Sequence, residues 1–216
     1  MDKNKLDEAL DEIVKDIQSI TVPYSSYSIS YPHFIKFFSE IKGNISEHDL
    51  IIGIHLIYGW MPTIFEFKNG KKNRKKDENS DELDKDSIKE NIKNAITILN
   101  GIKRGDQLTP ENLEKLKLIF NNSLVGTSKL LHFIKPDKYA IWDSNVFAYL
   151  RRFDYIKSKM FKSGVDNISN YFKYLDILSK LNNKSQWKYR EIELAMFTKG
   201  QEIQKEKRKQ KQKGKR

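Results

Sequence analysis

The chain has 216 residues, with 40 Lys+Arg against 29 Asp+Glu and a formal net charge of +11. It has no cysteine, which excludes a disulfide framework, a thiolate-bound iron–sulfur cluster, a Cys zinc site and a Cys nucleophile. Ten Gly, five Pro, a mean hydropathy of −0.69 and no apolar run of ~18 residues exclude collagen-like, mucin-like and membrane-spanning chains.

In chain order, Leu6, Leu10, Ile13, Val14 and Ile17 recur at helical spacing and predict a helix over 4–20. The Ser/Tyr-rich stretch Thr21 to Pro32 holds two prolines and reads as a loop. A short aromatic helix is expected over His33–Ile41. Ser46-Glu47-His48-Asp49 has the form of a capping box opening an apolar helix that runs to about Trp60. From Lys68 to Asp86 six basic residues are followed by six acids, the pattern of a charged, mobile insertion. Ser87-Ile88-Lys89-Glu90 would cap the next helix, with Ile88, Ile92, Ile96 and Leu99 on one face and Gly101 and Gly105 at its end. Thr109-Pro110 opens a helix with proline in its first turn and a stripe of Leu113, Leu116, Ile119 and Phe120. A turn over 121–126 should separate it from a helix near Thr127–Phe133, which Pro136 stops. Asp143 or Ser144 caps a helix reaching about Phe153, and two more lie near Asn167–Leu181 and from Ser185 to about Gln204. No stretch alternates as a strand does. The fold class is therefore all-α with no significant sheet, organised as one helical domain over 1–200 with the 68–86 insertion and a basic tail over 201–216.

The charge is uneven. The tail Gln201–Arg216 holds eight basic residues and two acids, six of the eleven net units. Such a run reads as a disordered arm that attracts polyanions without specificity, or as a merely solubilising tail. The start, Met1-Asp2-Lys3-Asn4, is too polar for a secretory leader. The expected compartment is the cytoplasm, in association with the nucleoid.

The stretch from Leu113 to Phe153 carries the chemistry. A turn such as Leu124-Val125-Gly126 entering a helix presents backbone N–H groups and a positive dipole end, a seat for phosphate. Val125, Gly126, Thr127 and Ser128 would form that seat. Lys129 follows on the first turn, and Asp143 stands at the start of the next helix. A Lys and an Asp at an apolar pocket can cleave a C–N bond. The carboxylate stabilises a developing oxocarbenium ion, and a neutral amine attacks the sugar carbon to form a Schiff base. Each residue also has a plainer reading: Asp143 as a helix cap, and Lys129 as a solvated lysine or a phosphate contact. His48 and His55 share a helix face but suggest no third ligand, so no metal site is expected.

Asn122-Ser123-Leu124-Val125-Gly126, Thr127-Ser128-Lys129 and Ala140-Ile141-Trp142-Asp143-Ser144-Asn145-Val146 together resemble the helix-hairpin-helix DNA glycosylase superfamily. That superfamily includes the 8-oxoguanine, adenine-mismatch and endonuclease III-like enzymes. Leu124 stands where the family hairpin has its first Gly, and Ala140 where it has Pro. The resemblance implies a two-lobed helical fold, Asp143 as the catalytic aspartate, and Lys129 (or Ser128 in its place) at the nucleophile position. It also implies duplex DNA as partner, a monomer, base extrusion, no cofactor, and a monovalent cation on the hairpin carbonyls. Trp142, Tyr139, His132 and Asn145 are candidates to line the base pocket, and core packing is the competing reading for Trp142 and His132. Two other readings stay open. One is a non-catalytic helical DNA-binding module. The other is a helical interaction domain with a nucleic-acid-binding tail.

Overall fold

The computed structural model describes residues 3–61, 65, 67 and 84–213. Among these residues there is no strand: the fold is all-α. The helices are α1 (Lys3–Gln18), α2 (Ser26–Glu40), α3 (Glu47–Tyr58), α4 (Lys85–Arg104), α5 (Pro110–Leu118), α6 (Leu124–Ile134), α7 (Ser144–Leu150), α8 (Ile168–Ser185) and α9 (Tyr189–Lys213), with a π-helical turn over Ile156–Met160. The charged insertion expected over 68–86 lies outside the described residues up to position 83. The chain divides into two compact units, Ser25–Lys135 and the two chain ends Met1–Tyr24 with Pro136–Arg216.

In the Ser25–Lys135 unit, α6 packs on α2, α3 and α5, and α4 packs on α3 and α5. Ser46 and Asp49 form the expected capping box of α3. The Ser46 hydroxyl, then its backbone N–H, holds the Asp49 carboxyl below its ordinary range. Buried Asn100 is satisfied on both sides: its Oδ1 accepts from the Ile45 N–H at 2.6 Å and its Nδ2 donates to the Ile45 carbonyl at 3.1 Å. That pair pins the entry of α3 to α4. Gly105 closes α4 at φ +119, and the Asp106 N–H returns to the Gly101 carbonyl at 2.9 Å, a Schellman-type stop.

Some expected boundaries move. The 21–32 loop is shorter, because α2 begins at Ser26 and runs through Pro32. Its Tyr31, Phe34 and Phe38 rings all pack on Phe133 of α6, and this burial outweighs the proline's lost bond. The start of α4 also falls earlier, at Lys85, capped by Asp84, whose side chain accepts the Ser87 N–H at 3.1 Å.

In the other unit, α1 packs on α8 and α9, and α9 packs on α7 and α8. Leu10, Ile13 and Ile17 of α1 are fully buried, as are Ile177, Leu178 and Leu181 of α8 and Ile192 and Met196 of α9. Ion pairs from Lys184 to Asp11 at 2.7 Å and from Arg152 to Asp16 at 3.1 Å fasten α1 at the rim. The region expected to be a disordered arm is helical through Lys213. The buried face of α9 carries the helix into the tail, and basic residues at a helix C-terminus suit its dipole.

Tyr149, Tyr171 and Tyr174 are buried here, and burial pushes all three phenols well above their ordinary value. Their neutral form is favoured in the fold. Their contribution is therefore complete below the unfolded pKa of about 10 and is lost as pH rises from there toward the raised folded values. Stability should fall above pH ~10 by up to about 1.4 kcal/mol per pH unit for each tyrosine. Urea midpoints between pH 9 and 11, read beside tyrosinate absorbance, check this. Full tyrosine ionisation near pH 10 with the helical signal intact would contradict it.

Candidate functional site

The helical hairpin α5–α6 lies wholly in the Ser25–Lys135 unit. Thr109 caps α5 and Pro110 is its first residue, as expected. The tight turn is made by Asn121 and Asn122, at φ 54° and 62°, a left-handed geometry that asparagine tolerates better than most residues. Helix α6 then starts at Leu124 rather than Thr127, with Ser123 as its cap: the Ser123 hydroxyl accepts the Gly126 N–H at 3.2 Å. Gly126 thus sits inside the first helical turn. Its need for glycine comes from packing, since a Cβ there would stand 2.6 Å from Cδ1 of buried Phe120. The hydroxyls of Thr127 and Ser128 are buried and donate to the Ser123 and Val125 carbonyls at 2.8 and 2.9 Å. Val125 is half-buried.

Lys129 is 8% exposed, and its Nζ donates to the carbonyl of Trp60 at 3.0 Å. The Trp60 ring is packed by Tyr27, Phe34 and Phe133 at centroid distances of 5.2–5.3 Å. His132 is fully buried, and its Nε2 shares a 2.9 Å hydrogen bond with the Tyr31 hydroxyl. The unit therefore holds the Lys129 amine on the Trp60 main chain, and sets the His132 imidazole and the Tyr31 phenol among aromatic rings. Tyr31 belongs to the aromatic cluster Tyr24, Tyr27, Tyr31, Phe34, Phe37 and Phe38, which in the sequence reads as core or as a wall of the base pocket, whereas Trp60 is not singled out there.

Asp143 belongs to the other unit, where it is half-buried and caps α7. Its Oδ1 accepts the N–H groups of Asn145 at 2.8 Å and Val146 at 2.9 Å, and its Oδ2 lies 3.5 Å from Asn145 Nδ2. Two backbone donors at a helix start suit a carboxylate. Trp142 beside it is fully buried: its indole N–H donates to the Val165 carbonyl at 2.7 Å, and its ring meets Phe147, Phe161 and Tyr174. Tyr139 is buried too, and Asn145 is half-buried.

Beneath the cap lies a polar group that sequence reasoning missed. Glu193 of α9 is 1% exposed and ion-paired with Arg190. Both act electrostatically on Tyr174, as does Asp143. The Tyr174 hydroxyl donates to the Ile141 carbonyl at 3.1 Å. A charged pair inside an apolar helix face has no clear signature in a sequence where a third of residues are charged.

Helix α9 also braces the cap from outside. Gln204 Nε2 donates to the Ser144 carbonyl at 3.1 Å and lies 3.3 Å from Asn145 Oδ1. At Gly200 the two backbones approach so closely that a Cβ would stand 2.1 Å from the Asn145 carbonyl oxygen.

Among the described residues no group of three or more His, Asp or Glu could hold a metal ion, and no helix is long and apolar enough to cross a membrane. Comparison of the chain with protein-family models, curated proteins and solved structures gave no match.

Proposed function

We propose that the protein is a DNA glycosylase that extrudes a damaged or modified base from duplex DNA and cleaves its N-glycosidic bond. The observation that carries this reading is the half-buried Asp143 carboxylate, fixed by two backbone N–H groups at the start of α7. A carboxylate held in place in this way is the group needed to stabilise a cationic sugar as the C–N bond lengthens. The motif lies directly downstream of a helical hairpin, the order that the resemblance to the helix-hairpin-helix glycosylases requires.

Lys129 is the candidate nucleophile. A Schiff-base lysine must be neutral when it attacks, and Lys129 is the buried lysine of the hairpin's second helix. Attack on the sugar C1′ would form a C–N bond as the bond to the base breaks and the base leaves with a proton; breaking of the C1′–O4′ bond, with O4′ protonated, then turns this aminal into the imine from which a lyase step follows. On this reading an extruded base would meet Tyr31, which is half-buried, and through its 2.9 Å hydrogen bond the buried His132. The protein would work as a monomer in the nucleoid-associated cytoplasm, without a bound cofactor. The Thr127 and Ser128 hydroxyls donate to their own backbone, and the Gly126 and Thr127 N–H groups donate to Ser123, so this turn offers little to a phosphate.

The test is base release from duplexes carrying 8-oxoguanine, uracil, mismatched adenine or modified cytosine, followed by borohydride. One of these should yield a trapped covalent adduct, and Lys129→Ala should abolish it. Duplex binding with no base release from any substrate would replace this reading with that of a non-catalytic DNA-binding module.

A further inference from the structure

We infer that the C-terminal part of α9 is a rigid phosphate clamp, built as a continuation of the helix that braces the Asp143 cap. It rests on the glycosylase reading only for the choice of duplex DNA as partner. Gly200 and Gln204 lie four residues apart on one face of α9, and that face touches α7 at Asn145 and Ser144. Positions three, four and seven beyond Gln204 continue the same face. They are Lys207, Arg208 and Lys211, all exposed. A cationic face thus begins about 5 Å of helix rise past the contact with Ser144.

Two features favour nucleic acid as the occupant. Residues 205–212 hold five basic residues against one acid, and no apolar one. A helix that binds a lipid surface needs an apolar face to bury among the acyl chains, and this segment has none. A helix charged on every side gains nothing from the protein core, but it suits a regular row of negative charges. From Gln204 to Lys213 the helix extends about 13 Å. One DNA strand presents a phosphate every ~3.4 Å, so the segment spans three to four phosphates, a match for three basic side chains on one face.

The experiment compares duplex binding by the full chain with that of a Lys207→Gln/Arg208→Gln/Lys211→Gln triple variant, using an undamaged fluorescent duplex across a salt series. All three residues are exposed, so the fold should survive, and helical content is read alongside. The triple variant should lower the slope of log Kd against log salt by about 3. The rise in Kd between 50 and 200 mM salt should then be roughly 40-fold smaller. A Lys205→Gln/Lys209→Gln control, off that face, should change the slope by less than 1. Equal slopes for the triple variant and the unaltered chain would overturn the clamp. So would a control that matches the triple variant. Binding to phosphatidylglycerol vesicles that the triple variant loses while duplex binding persists would overturn it in favour of a membrane. If the triple variant loses duplex affinity but the unaltered chain releases no base, the clamp stands and the glycosylase reading falls. If bases are released but the slope is unchanged, the reverse holds.

Discussion

Gly200→Ala should destabilise the protein by about 2 kcal/mol, although alanine is the better helix former. Two effects of opposite sign compete. In a helix interior, replacing Gly by Ala gains about 1 kcal/mol of propensity. The new Cβ, however, would stand 2.1 Å from the Asn145 carbonyl oxygen, 2.5 Å from its carbon and 2.9 Å from its Cα. These are backbone atoms, so no rotamer change relieves the clash, and α7 and α9 must part. Overpacking costs about 1–3 kcal/mol, and more where the neighbour cannot yield. Parting the helices also loosens the packing of α7 on α9, whose Val146, Ile192 and Met196 are fully buried. Gly101→Ala provides the contrast. Its Cβ would meet the Asp106 carboxylate at 2.5 Å, and Asp106 is an exposed side chain that can swing away. There the propensity term wins, and stability should be unchanged or rise by a few tenths of a kcal/mol. Denaturant midpoints of the two variants decide the matter. Equal effects would mean that the α7–α9 approach is not tight.

The sequence rules succeeded where one local interaction decides the structure. Ser46, Thr109 and Asp143 all cap helices, because a short polar side chain satisfies orphan N–H groups whatever packs nearby. Gly105 ends α4 because few other residues adopt φ +119 cheaply. The rules misplaced boundaries where a distant partner decides. Gly126 reads as turn chemistry, yet the ring of Phe120 dictates it. Pro32 reads as part of a loop, yet the aromatic layer on Phe133 carries α2 through it. The charge run after Gln201 reads as disorder, yet α9 enters it already anchored at Gly200 and Gln204. The candidate site divides in the same way. Asp143 was legible as a cap, and the proposed catalytic carboxylate draws on the same residue type. Glu193 and Arg190 were not, because their pairing depends on burial that only the packing of α9 creates.

Asp143→Asn should leave stability within about 0.5 kcal/mol and lower base release at least a hundredfold, which separates the two roles this residue can play. As a cap, asparagine is nearly the equal of aspartate. Its side-chain oxygen can accept the Asn145 and Val146 N–H groups at the same positions. The helix start is thus preserved while the negative charge is removed. A neutral amide offers little to a cationic sugar. Removing one electrostatic contributor from a transition state costs on the order of 10²–10³ in rate, equal to about 2.7–4 kcal/mol. Asp143→Ala removes both functions. It should lose the same activity and a further 1–2 kcal/mol of stability, roughly, from the uncapped helix. Measured together, by single-turnover base release and thermal melts, the two variants give a clear decision. If Asp143→Asn is stable and inactive, the carboxylate serves chemistry beyond its cap. If it is stable and releases base at the unaltered rate, Asp143 is a cap alone, and cation stabilisation must come from another carboxylate.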